Sequence, residues 1–171
     1  METLKAIMNR RSIRKFSDEE VSNEQLDIIM KAAMAAPSAC DRRAWEYYIV
    51  KNDEVKENIK KGVTFGKFKS PIIIVVCLKE NKTLPLVMHD TNYCDLSASI
   101  ENILLAVTDL GLGAVWCAIY PNPHNAKVVR KALSAPITHT PFSAIFIGHP
   151  ASDEDGKVKD KYDETRIHVI E

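Results

Sequence analysis

Ser99-Ile100-Glu101-Asn102-Ile103-Leu104-Leu105-Ala106-Val107-Thr108-Asp109-Leu110-Gly111-Leu112-Gly113-Ala114-Val115-Trp116-Cys117-Ala118-Ile119-Tyr120-Pro121 contains the change of pattern that decides the fold. Its first half continues a helical stretch running from about Asp90 to Leu110. Small Ser97, Ala98 and Ser99, followed by Ile103, Leu104, Leu105 and Val107, suit a central buried helix. Gly111 and Gly113 supply a stop, and Ala114 to Ile119 predicts a strand. Glycines in this spacing superficially match a dinucleotide fingerprint. That motif, however, follows a strand and opens a helix. Here the order is reversed, so a Rossmann site is rejected.

Outward from this stretch, Ile72 to Leu78 is apolar without alternation and predicts a strand buried on both faces. Asp53 to Lys61 predicts a surface helix, and Trp45 to Val50, aromatic and β-branched, a strand. Ser22 reads as a helix N-cap, Gln25 completes a capping box, and Val21 and Leu26 sit where a hydrophobic staple would. Leu26, Ile29, Met30 and Ala33 follow at helical spacing, and Pro37 ends that helix. Thr3 to Asn9 predicts a short helix with Leu4, Ile7 and Met8 on one face. Beyond Pro121, Asn125 to Leu133 predicts a helix and Ser143 to Ile147 a fourth strand. The order helix, helix, strand, helix, strand, helix, strand, helix, strand implies an α+β (α/β layered) fold.

With 171 residues, 46% hydrophobic and 27% charged, the chain fits a single domain, 1–171, whose core needs no metal or disulfide staple. The 23 basic and 23 acidic side chains cancel, which argues against a broad nucleic-acid surface but leaves room for a local anion site. Cys40, Cys77, Cys94 and Cys117 have no CxxC spacing and lie in or near apolar stretches. Buried thiols in a reducing cytoplasm are expected, rather than disulfides or zinc. The opening Met1-Glu2-Thr3-Leu4 lacks a secretory apolar region, and no apolar run approaches a membrane span. A cytoplasmic protein without a membrane partner is the expectation. The end changes character: Ala151 to Lys161 is polar and charged, then Ile167, Val169 and Ile170 alternate with His168. A strand there has little to pair with locally. A frayed tail and an arm reaching a partner subunit stand level on pattern alone.

Three signals bear on chemistry. Arg10-Arg11-Ser12-Ile13-Arg14 gathers three guanidinium groups and a hydroxyl at a helix end. Arginine forks match phosphate oxygens, and alternation sends Arg10, Ser12 and Arg14 one way and Arg11 the other. A solvated basic turn is the commoner alternative. Second, small residues from Ala35 to Ala39 let a backbone approach a flat ligand, with Ser38, Asp41 and Arg43 beside it. On pattern alone an ordinary helix-to-strand loop is the favoured reading. Third, Cys40 is a candidate nucleophile, but no histidine lies near it in sequence. The histidines form no HxxxH pair and no GxSxG elbow occurs, so neither a metal site nor a serine hydrolase is expected. Asp153-Glu154-Asp155-Gly156 lacks the remaining ligands of a calcium loop and reads as a turn.

Taken in order, RRSIRKF (10–16), APSACDRRAWEYYIV (36–50), SIENILLAVTDLGLGAVWCAIYP (99–121), FIGHP (146–150) and KDKYDETRIH (159–168) resemble the short members of the nitroreductase family of flavoproteins. The resemblance runs along nearly the whole chain. It implies a central mixed sheet flanked by helices, in an intertwined homodimer. Residues 151–171 would form a C-terminal arm reaching the partner, with FMN at the interface. Arg10, Ser12 and Arg14 would hold the FMN phosphate and ribityl chain, with Arg11 inside the same motif. Lys159 and Lys161 would reach that phosphate from the arm. Pro37, Ser38, Ala39, Cys40 and Asp41 would line the flavin from the other subunit. Asp41 stands where the family usually has Asn and cannot donate a hydrogen bond when ionised. The backbone of Ala118, Ile119 and Tyr120 would approach the ring.

The implied activity is that of an FMN-dependent oxidoreductase. Hydride would pass from NADH or NADPH through flavin N5 to an electron-poor acceptor, nitroaromatic or quinone, in a ping-pong cycle. The cofactor carries such chemistry, so no catalytic side chain is expected. A non-catalytic FMN store or redox sensor is the alternative from another class, and a plain anion-binding module a third.

Overall fold

Seven consecutive buried residues, Ile72 to Leu78, dominate β2 (Ile72–Lys79). A strand with no solvent face needs cover on both sides, and the rest of the fold supplies it. The computed structural model describes residues 3–85, 88–151, 158 and 160–170. Its four-stranded sheet has the order β1-β2-β4-β3, with β1 at Trp45–Val50, β3 at Gly113–Ala118 and β4 at His139–Gly148.

Helices α2 (Asn23–Met34) and α4 (Thr91–Asp109) cover one face. There Leu26, Ile29, Ile100 and Ile103 pack on Ile72, Ile74, Val76 and Ile145. Helices α3 (Asp53–Lys60) and α5 (Pro123–Ala132) cover the other. There Ile59 and Val129 meet Ile73, Val75, Val115 and Phe146. Alternate residues of β2 thus feed two separate cores. Each fully buried Ile or Val contributes about 1.5–3 kcal/mol. α1 (Thr3–Asn9) lies on α4.

The element order is the one read from sequence, and several local signals act as expected. Ser22 caps α2: its Oγ accepts from Gln25 N–H, while Gln25 Oε1 accepts from Ser22 N–H at 2.9 Å. Val21 and Leu26 join the same core cluster, as a staple requires. Gly111 takes φ 72°, the left-handed conformation that ends α4 cheaply.

Other readings change. The named strands pair antiparallel throughout, not as a mixed sheet. Among the described residues, parallel pairing is confined to an isolated bridge between Ser12 and Ala114. Gly113 is not part of the helix stop but the first residue of β3, because it must sit against Ile13: a Cβ there would come within 2.7 Å of that side chain. α5 begins at Pro123, ahead of the expected Asn125. Asn122 Oδ1 caps it by accepting from His124 and Asn125 N–H. β4 begins four residues earlier than expected. Its polar, proline-containing start is tolerated because β3 pairs only from Ser143 onward and the β2 register shifts between Val76 and Cys77, opposite Pro141.

Cys77 and Cys117 are buried, but Cys40 and Cys94 are exposed, against the expectation of four buried thiols. Residues 167–170 form no strand within the chain, and Val169 and Ile170 are 79% and 95% exposed. The expected turn at Asp153–Gly156 lies outside the described residues. No described helix is long and apolar enough to cross a membrane.

Because the capping box satisfies otherwise orphaned N–H groups, Ser22→Ala is expected to lower stability by about 1 kcal/mol. Urea unfolding checks this; an unchanged midpoint would show that the cap contributes nothing.

Candidate functional site

The basic loop after α1 is fastened from one side only. Ile13 is buried, donates its N–H to Ala114 O at 2.9 Å and packs on Gly113. Its polar neighbours therefore face away from the core. Arg10, Arg11, Ser12 and Arg14 line one cavity of about 750 Å³ together with Lys161 of the C-terminal segment. Arg11 does not turn away as strand-like alternation predicts, because the segment is a loop with a single bridge rather than a regular strand. Glu101 of α4 lies 2.9 Å from Arg10 Nε and orients that guanidinium. Lys159, the other basic residue expected here, lies outside the described residues.

Arg14 also borders a second cavity, of about 340 Å³, at the end of β3. Ala118, Ile119 and Tyr120 line it, together with Cys117, Thr64 and Phe65. The N–H groups of Ile119 and Tyr120 both donate to Phe142 O at 3.0 Å. They are committed within the chain, so this stretch presents backbone and side-chain surface to the cavity rather than spare donors. Burial pushes the Cys117 thiol up to about 11, although Arg14 acts the other way. It is a neutral wall at ordinary pH, not a nucleophile.

The loop Pro37–Asp41 borders neither cavity. Cys40, Asp41 and Arg43 have φ of 52°, 51° and 49°, a conformation costing roughly 1–2 kcal/mol for each L-residue. Hydrogen bonds hold it there. Ser38 Oγ accepts from Arg43 N–H at 3.1 Å, and both carboxylate oxygens of Asp95 accept from Ala39 N–H at 3.1 and 3.0 Å. Arg43 grips Asp41 by two contacts of 2.7 and 2.6 Å, which hold its carboxyl below the usual range. Asp41 is thus ionised and already engaged.

Asp95 was not singled out from sequence. It is buried on α4, and burial raises its carboxyl while the Ala39 N–H opposes that shift. An acid among the apolar residues of a core helix was the available signal. The aromatic group of Tyr93, Tyr120 and Phe142 was also missed. Tyr93 and Tyr120 stack with centroids 4.2 Å apart, pinning the chain just after β3. These residues are far apart in sequence, so no spacing pattern reveals them.

A model described as the Nitroreductase family matches residues 7–64 and 64–149. The chain belongs to the nitroreductase family. It is 40% identical over 172 residues to a protein of Methanothermobacter thermautotrophicus provisionally named an NADH dehydrogenase/NAD(P)H nitroreductase, across 99% of this chain and 87% of that one. A solved structure from Parabacteroides distasonis, of the same provisional name, shares 38% identity at a TM-score of 0.88, covering 98% of this chain and 96% of its own. The structure of an FMN-dependent nitroreductase from Clostridium difficile R20291 has 30% identity and a TM-score of 0.85, covering 97% and 98%.

In this nitroreductase-family chain, burial raises Cys77 to about 12 as well as Cys117 to about 11, from an ordinary 9.0. Native thiols therefore stay protonated where those of the unfolded chain ionise. Stability is expected to fall as pH rises above 9.0. At neutral pH, iodoacetamide should spare Cys77 and Cys117 until denaturant is added. Mass spectrometry of native labelled protein checks this, and native labelling at either site would disprove their burial.

Proposed function

We propose that this nitroreductase-family chain binds FMN and acts as an NAD(P)H-dependent oxidoreductase on electron-poor small molecules. The observation that carries this reading is the pair of cavities meeting at Arg14. One is ringed by Arg10, Arg11, Ser12 and Lys161; the other is walled by Cys117, Ile119 and Phe65. A phosphate monoester fits the first donor set, because guanidinium forks, a hydroxyl and an ammonium all donate to its oxygens. A flat conjugated ring fits the largely apolar second cavity. FMN combines both parts, and a relative covering nearly the whole chain is named as FMN-dependent.

The chemistry FMN supplies when bound is hydride transfer through N5, from NADH or NADPH to a nitroaromatic or quinone in a ping-pong cycle. The chain's own residues bind and orient. Arg10, steered by Glu101, and Lys161 offset the phosphate charge. Ser12 adds a neutral donor. Arg14, at the junction, places a cation where it favours an electron-rich ring. With the Ile119 and Tyr120 N–H groups committed to Phe142, Arg14 takes the larger share of that stabilisation. Residues Pro37–Asp41 serve the other protomer's ring, which accounts for a braced loop that borders neither cavity of its own chain.

The reading includes a homodimer in which 1–171 is one FMN-binding domain and 151–171 an arm crossing to the partner. Exposed Ile167, Val169 and Ile170 supply the apolar contact for such an arm, as do Leu4 and Met8 of α1. Free Cys40 and Cys94 suit a reducing compartment such as the cytoplasm.

An absorption spectrum followed by anaerobic addition of NADH, then NADPH, tests the activity. Flavin bands should bleach with at least one donor. Bands that persist with both would leave a flavin store or sensor; no flavin binding would refute the reading. Arg10→Ala with Arg14→Ala should weaken FMN binding about 100-fold or more, since charge-assisted bonds contribute roughly 1.5–3 kcal/mol each, with an unchanged circular dichroism spectrum. Unaltered affinity would remove the phosphate assignment. Deleting residues 158–171 should yield a monomer without flavin, read by analytical ultracentrifugation and absorbance; a flavin-loaded monomer would disprove the shared site.

A further inference from the structure

Charge is unevenly spread over this electrically neutral chain. Asn58 to Lys79 and Leu110 to Ser152 contain no Asp or Glu. The first stretch carries five lysines, and α5, within the second, carries Lys127, Arg130 and Lys131. The fold brings the two stretches side by side. α3 packs on α5, and a Cβ at Gly62 would come within 2.7 Å of the Val129 side chain and 2.8 Å of Asn125 O. Asn125 Nδ2 also donates to Thr64 Oγ1 at 3.2 Å. Thr64 and Asn125 both line the cavity at the end of β3. The two acid-free stretches therefore join at its wall.

The cations around that wall differ in what they meet. Lys60 is paired with Glu57 and Lys69 with Asp18, each at 2.6 Å. Lys61, Lys67, Lys127 and Lys131 are exposed. Among the described residues no carboxylate pairs with any of these four, and Lys61 Nζ donates to the neutral Asn58 Oδ1 at 2.7 Å. Lys67 stands between the lining residues Phe65 and Phe68, Lys61 shortly precedes Thr64, and Lys127 follows Asn125 by less than one helical turn.

We propose that this basic rim receives the 2′-phosphate of NADPH and makes NADPH, rather than NADH, the electron donor. The inference rests on the flavin reading above. The two dinucleotides share a nicotinamide and a diphosphate. They differ by one phosphate monoester, which carries about −1.5 to −2 charges at neutral pH. A cavity of about 340 Å³ that receives the reacting rings has no room for the adenosine half. That half then lies over the surrounding surface, where the unpaired lysines stand. A lysine ammonium is a point charge on a flexible stem and meets a mobile phosphate without a fixed fork. Clustered cations also raise the encounter rate of the more anionic ligand.

The test mixes flavin-loaded protein anaerobically with NADH or NADPH and follows flavin bleaching by stopped flow. Each exposed charge pair contributes a few-fold at most, so the second-order rate constant for NADPH is expected to exceed that for NADH by about 10-fold at low salt. In about 1 M potassium chloride, where the screening length is about 3 Å, the preference should nearly vanish. The triple variant Lys61→Gln, Lys67→Gln, Lys127→Gln should bring the NADPH constant close to that of NADH. The reversal Lys67→Glu with Lys127→Glu should favour NADH, while Lys67→Arg with Lys127→Arg should keep the preference for NADPH. Flavin content and circular dichroism establish that each variant is folded and loaded.

Equal constants in the parent protein, or a faster reaction with NADH, would overturn the proposal. So would a preference for NADPH that survives both salt and the triple substitution, since the phosphate would then be read by other residues. Protein that binds no flavin, or flavin that neither donor bleaches, would overturn the functional reading and this inference together. Flavin bleached alike by both donors would overturn this inference alone.

Discussion

Everything in this fold depends on burying both faces of the β2–β4 pair. Ile72 to Leu78 and Ala144 to Ile147 leave no polar side to meet water. The sheet must therefore lie between helices, and its two cores share only backbone. α4 meets that need on one face with Leu96, Ile100 and Ile103, while α5 and α3 meet it on the other with Val129 and Ile59. Helices on both faces leave the end of β3 as an opening. The second cavity lies there.

Position then follows from a small contact. Ile13 fills the space that a side chain at Gly113 would occupy, and its N–H reaches Ala114 O. One buried residue within a basic run turns a solvated turn into a lined cavity: Ile13 goes inward, and its charged neighbours stay at the surface of the sheet edge. Glu101 holds Arg10 from α4, so the helix that builds the core also aims a guanidinium. Arg14 borders both cavities.

The left-handed run at Cys40, Asp41 and Arg43 shows the opposite economy. Local strain is tolerated because Asp95, Ser38 and the Asp41–Arg43 pair oppose its relaxation. The Asp41 carboxylate is held inside the loop by Arg43. That fork could not have been inferred from Asp41 alone, since either neighbouring arginine was a candidate partner. Arg42 instead donates to the carbonyls of Lys82 and Thr83.

Sequence by itself determined the order of elements, the buried strand, the capping box at Ser22 and the basic cluster at Arg10–Arg14. These are local properties: periodicity, caps and charge runs act over a few residues and need no partner. Only the tertiary structure decided that the sheet pairs antiparallel and that β4 begins at a proline-bearing segment. It also decided that Lys161 returns to the basic loop, that Asp95 braces Ala39 and that Phe65 lines the second cavity. Each joins residues distant in the chain. Strand pairing and long-range hydrogen bonds are chosen by competition for burial across the whole molecule, and no short pattern records which partner wins.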